Sequence, residues 1–202
     1  MNFYINLVIL LLSLVGVVSV FWASARHNKR RDETRRRFLE SEDAANSVRK
    51  KEIDPALFYT ADLSVLPPIP EGDPHQVARC AKRVMIYFAE PLTNLELKMQ
   101  YGPAQMDFIA EYEENFNAYL KALTKWAAEA TDADAIKILQ HAISLGSEYR
   151  DTYRLAADIL SKQGDKYGME SLLAHAEKNH FRDPSIRQQV LEYIRKKDDK
   201  ST

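Results

Sequence analysis

Apolar side chains are distributed along this chain in three ways, and each predicts a different kind of segment. From Phe3 to Ala25 they run on without a single Asp, Glu, Lys or Arg. An unbroken run of that kind predicts one helix. At a 1.5 Å rise per residue it would be about 34 Å long, enough to cross a hydrocarbon layer of about 30 Å with some tilt. From Arg26 to Glu52 the large apolar side chains thin to Phe38, Leu39 and Val48, too few for a core, so this stretch reads as a charged, solvated stalk or helix. From Asp73 onward they recur at three- and four-residue spacings, the period of amphipathic helices around a shared core.

Within that last part the punctuation is helical. Asp73-Pro74 opens a predicted helix whose stripe is Val77, Ala81, Val84, Met85 and Phe88, ending at Glu90-Pro91. A short helix covers Leu92–Gln100 and is closed by Gly102. Pro103 then opens a long one reaching Ala130, with Met106, Ile109, Tyr112, Phe116, Tyr119, Leu123 and Trp126 on one face. Between stalk and helices, "IDPALFYTADLSVLPPIP" carries Pro55, Pro67, Pro68 and Pro70, which favour extended backbone. Leu57, Phe58, Tyr59, Leu63, Val65 and Leu66 are too apolar for a free linker. The expectation is an extended strap against the helical domain, with an aromatic patch open to a partner as the alternative. No alternation of useful length predicts a strand. The fold class expected is all-α, divided as 1–25 anchor, 26–52 stalk, 53–72 strap, 73–197 helical domain and 198–202 disordered tail.

A repeat lies inside the helical domain. "LQHA" at Leu139–Ala142 returns as "LAHA" at Leu173–Ala176, and the same 34-residue offset aligns Tyr119 with Tyr153, Ala122 with Ala156, Trp126 with Leu160 and Ile138 with Leu172. The matches fall on core-facing helix positions, with breaks near Thr131-Asp132 and Gly164-Asp165. On these residues the stretch 116–197 resembles the tetratricopeptide repeats, whose period is about 34 residues of helix–turn–helix. Tyr153, Ala156, Ala157 and Leu160 look like that family's first-helix places. Ala135, Leu139 and Ala142, and again Met169, Leu173 and Ala176, look like its second-helix places. A last helix from Asp183-Pro184 through Val190, Leu191 and Ile194 reads as a terminal cap. Leu123, Leu191 and Met169 depart from the family by standing where small residues are usual. The resemblance implies a right-handed stack of antiparallel helix pairs with a concave surface for a protein or peptide. By the family's pattern that surface would present Arg154, Asp158, Lys162, Gln188, Glu192 and Arg195; the competing reading is ordinary solvated helix faces. Asp158 stands where carboxylate-clamping members need Asn, so a terminal carboxylate is not the expected ligand.

Charge refines the location. The net charge is −1, yet Arg26, Lys29, Arg30, Arg31, Arg35, Arg36 and Arg37 make the dodecamer 26–37 strongly basic, leaving an acidic remainder. Cations follow the apolar run and none precedes it. The positive-inside bias therefore predicts a retained single-pass anchor with its N-terminus outside and the rest cytoplasmic. Cleavage after "ASA" at Ala23–Ala25 as a secretory signal is the competing reading. The basic flank can also draw anionic lipid headgroups, at about 1 kcal/mol per well-placed cation. Nucleic acid is not expected, since no aromatic residues are interleaved with the arginines. Cys80 is the sole cysteine, so no internal disulfide can form.

Chemistry is thin. His175 and His180 are five apart, off the four-residue spacing that aligns two imidazoles on a helix, and no cysteine supports them. Asp132 and Asp134 read as helix-start acids. Cys80 reads as core, between Val77 and Val84. No phosphate loop, Ser/His/Asp order or dinucleotide fingerprint is present, so no catalytic residue, metal or cofactor is expected. The sequence reads as a membrane-anchored adaptor that displays a helical-repeat domain to a protein partner. A structural subunit of a larger membrane complex, held by its transmembrane helix and aromatic strap, is the alternative, and an enzyme of unrecognised type comes third.

Overall fold

The amphipathic stripes fold where their apolar faces can meet, and α4 (Met106–Glu129) is the meeting place. The structure, a computed structural model, describes residues 31–90 and 92–199. The expected anchor at 3–25, the cations Arg26, Lys29 and Arg30, and the tail from Lys200 lie outside the described residues. Among the described residues no helix is long and apolar enough to cross a membrane.

The fold is all-α apart from one short ribbon. Helix α1 occupies 31–46 and carries Arg31, Arg35, Arg36 and Arg37, all exposed. It is followed by α2 (Val77–Ala81), α3 (Asn94–Tyr101), α4, α5 (Asp132–Ser144), α6 (Arg150–Gln163), α7 (Lys166–Lys178) and α8 (Pro184–Asp198). Two-residue connections join α4 to α5 and α6 to α7, which is what antiparallel helix hairpins require. The first hairpin packs on the second through α5 and α6, while α8 covers α6 and α7. Aligned positions of the repeat do the same work: Tyr119 and Tyr153, Ala122 and Ala156, Trp126 and Leu160, Ile138 and Leu172, and Ala142 and Ala176 are all buried. Leu139 is buried, whereas its counterpart Leu173 is only half-buried.

Two expectations need correction. The helix expected over 74–89 shrinks to α2, and the residues after it form β2 (Met85–Ile86), antiparallel to β1 (Phe58–Tyr59) in the strap, with Phe58 opposite Ile86 and Tyr59 opposite Met85. Asp73 and Gln76 both take positive φ, so the helix starts late, with the Asp73 carboxylate accepting from the Val77 N–H at 2.7 Å. Met85 and Ile86 are then fully buried on both faces of the ribbon, a gain that continued helix would forgo. The second correction concerns the stalk, whose C-terminal part is fastened to the domain. Ala45 is fully buried, Glu42 pairs with Lys98 at 2.8 Å, and the Lys51 carbonyl accepts from Gln105 Nε2 at 2.8 Å.

The strap lies as expected against the helices. Leu66 is buried, and Tyr59, Ala61, Leu63 and Ile69 pack on the main core, with the Tyr59 ring edge-on to Phe116 at 5.3 Å. The remaining helix starts follow local chemistry. Thr93 and Glu96 form a reciprocal capping box for α3, Thr131 caps α5, and Asp183 caps α8 ahead of Pro184.

Gly102 ties these parts together. Its φ of +83° is open to glycine, and a Cβ there would sit 2.8 Å from the Arg49 carbonyl oxygen. The close approach lets 48–51 dock against the α3–α4 turn. Gly102→Ala should therefore lower stability by about 2 kcal/mol, read from the urea midpoint of the full chain, with protection lost first in exchange at 42–53.

Candidate partner-binding groove

Helix geometry places residues four apart on one face, and two such stripes face each other between α4 and α6. Lys121, Thr124, Lys125 and Ala128 form the α4 wall; Asp151, Arg154, Leu155 and Asp158 form the α6 wall. Tyr149 closes one end, its hydroxyl donating to the Asn117 carbonyl at 3.2 Å. The space between holds about 470 Å³ and opens to solvent.

A hydroxyl chain beneath the groove fixes the distance between its walls. Ser147 Oγ lies 3.1 Å from Thr152 Oγ1, which lies 2.7 Å from Thr124 Oγ1, which donates to the Leu120 carbonyl at 3.0 Å. Each hydroxyl has one proton, so the donor direction Ser147 to Thr152 to Thr124 to Leu120 satisfies all of them. All three side chains are buried.

The α6 wall is held by α8. The Arg154 guanidinium stacks 4.9 Å over the Tyr193 ring, and the Tyr193 hydroxyl donates to Asp158 at 2.8 Å. Lys197 Nζ reaches the same carboxylate at 2.5 Å, and this bond raises the lysine pKa above its ordinary value. Asp158 is therefore already answered by two donors.

Of the six residues expected to share one surface, the fold brings only Arg154 and Asp158 into the groove. Lys162 is held by Asp132 at 2.7 Å, towards α5. Arg195 is held by Glu177 of α7 at 2.9 Å. Gln188 donates to Glu192 at 2.8 Å, and both are exposed on α8. Lys121 and Lys125 were not anticipated. The repeat offset maps Arg154 onto Leu120 and Asp158 onto Thr124, and both of those are buried. Thr124 nonetheless lines the groove, as Asp158 does, and Lys121 maps onto Leu155, so the two walls share two positions of the repeat. The signal available was the stripe itself, polar positions four apart beside the apolar face of the long helix.

Elsewhere, Phe58, Phe108 and Tyr112 form a surface ring cluster with centroids 6.1 and 6.4 Å apart, and Lys50 Nζ lies 5.4 Å from the Phe108 centroid. Arg182 bridges Glu113 of α4 and Glu148 of the α5–α6 loop, its N–H donating to Glu148 at 2.7 Å. Cys80 is buried in the main core. Among the described residues no group of three or more His, Cys, Asp and Glu could hold a metal ion.

The two repeat histidines have different surroundings. His175 is exposed and bonds through Nδ1 to the Ser171 carbonyl at 2.8 Å. His141 is half-buried, and its Nε2 is enclosed without a partner. Burial lowers the His141 pKa below 6.5, and Asp62 of the strap opposes that shift. No family model, curated protein or solved structure matches the chain.

Two outcomes follow from this geometry. Thr152→Val removes the middle of the hydroxyl chain and should cost about 1–3 kcal/mol, measured by denaturant unfolding, with Thr124→Val and Thr152→Val together costing less than the sum of the singles. His141 binds its proton more weakly folded than unfolded, so its contribution to stability is intact above pH 6.5 and is lost as pH falls through the lowered folded value. His141→Gln should flatten the fall in unfolding midpoint between pH 7.5 and 5; identical slopes would refute the assignment.

Proposed function

We propose that this chain is a single-pass membrane adaptor that presents a tetratricopeptide-like helical domain, as a right-handed stack, to a protein partner on the cytoplasmic side. The observation that carries this reading is the groove between α4 and α6, the first helices of two successive hairpins. Equivalent burial of the repeat-aligned side chains supports relating the two hairpins by one packing rule. The anchor and its orientation rest on the uncharged run at 3–25 and the basic flank that follows it. Groove residues supply charge-assisted donors from Lys121, Lys125 and Arg154 around Leu155, the mixture that suits a peptide segment better than a small apolar ligand.

A second reading draws on the ring cluster. Phe58 and Phe108 are 41% and 45% exposed, and side chains of that size on one patch suit a contact within a larger membrane assembly. In that reading the chain is a structural subunit held through its anchor and strap.

Crosslinking in native membranes followed by recovery of the full chain separates the two. A partner that is lost on Arg154→Glu, with the anchor intact, is the result expected of the adaptor. Loss on exchanging residues 3–25 for an unrelated membrane helix, with Arg154→Glu neutral, would instead favour the structural subunit.

A further inference from the structure

The charges lining the groove are not equivalent. On the α6 wall each charge already has a local partner: Asp158 takes the Tyr193 hydroxyl and Lys197, Arg154 stacks on Tyr193, and Asp151 lies 4.0 Å from Arg150. On the α4 wall, Lys121 and Lys125 are exposed, and among the described residues neither has an ion-pair or hydrogen-bond partner. Their four-residue spacing roots two lysine side chains on one face, about 6 Å apart along the helix. The carbon surface of the groove comes from Leu155 on the α6 wall and Ala128 on the α4 wall.

That pattern selects its complement. We propose that the groove takes a short acidic segment of a protein partner, in which two side-chain carboxylates about 6 Å apart flank one apolar side chain. The carboxylates meet Lys121 and Lys125, and the apolar side chain covers Leu155 and Ala128. Carboxylates four apart on a helix have the matching spacing. The inference rests on the reading of this groove as a binding site and adds the chemistry of its occupant. A continuous phosphate backbone or lipid surface fits less well, because neither sets a single apolar side chain between two anions to cover Leu155 and Ala128. A basic segment fits less well still, because Asp158 is already paired with Tyr193 and Lys197 while Lys121 and Lys125 would repel it.

The test uses the full chain in phosphatidylcholine nanodiscs, panned against a displayed library of random 12-residue peptides. Enriched peptides are expected to carry paired Asp or Glu around Leu, Ile, Met or Phe. A synthetic copy of the strongest should bind at least about tenfold more weakly to the Lys121→Glu/Lys125→Glu chain, and should weaken with added salt. Lys121→Gln/Lys125→Gln makes the same comparison if the charge reversal prevents folding, which exchange protection across α4 reports. Enrichment without an acidic bias, or acidic peptides that bind both chains equally, would overturn the acidic-segment inference and leave the groove reading standing. No enrichment at all would overturn both. Displacement of the peptide by a single-stranded oligonucleotide at lower concentration than by a second acidic peptide would overturn it in favour of a phosphate ligand.

Discussion

Burial along the 24 residues of α4 is the constraint on which the rest of the domain depends. Nine of its side chains are buried, and they are shared among neighbours from both directions of the chain. α2 and β2 pack on it from the N-terminal side, and α5 and α6 from the C-terminal side. Phe116 alone meets Tyr59 of the strap at 5.3 Å and Tyr87 after β2 at 5.2 Å. A helix this long has more apolar face than one hairpin partner can cover, so its first half takes up the strap and ribbon while its second half joins the repeat. One element thereby links the part of the chain nearest the expected anchor to the hairpins.

The groove is a by-product of the same sharing. Once α5 occupies one flank of α4, α6 can approach only on another, and the Thr124–Thr152–Ser147 chain sets how near it comes. The walls then carry whatever polar stripes remain. On α6 these are tied down by α8 through Tyr193 and Lys197; on α4 no such helix stands opposite, which leaves Lys121 and Lys125 available. The asymmetry of the groove follows from the end of the stack, where α8 covers only its own neighbours.

Much of this was legible in the sequence. The stripes of α4 to α8, the breaks between them, the start of α8 at Asp183-Pro184, and the strap as a packed rather than free segment all follow from local spacing and from proline and cap chemistry. The misreadings share one physical cause. Val84, Met85 and Phe88 have helical spacing, but Met85 and Ile86 gain more by pairing with Phe58 and Tyr59, a contact some 27 residues away in the chain. Ala45 looked like part of a solvated stalk because its own neighbours are charged, and only docking near α3 buries it.

The sequence by itself determined helices α4 to α8, the apolar run at 3–25 with its basic flank, and the 34-residue recurrence that makes two hairpins alike. These are properties of neighbouring residues, set by backbone sterics and by periodicity. Tertiary structure alone decided which polar side chains meet. Six residues expected on one surface were divided between the groove, Asp132, Glu177 and the outer face of α8, while two unanticipated lysines entered it. Successive residues of a helix point about 100° apart, and which of them face a neighbour is fixed by packing against helices distant in sequence, not by the helix's own residues.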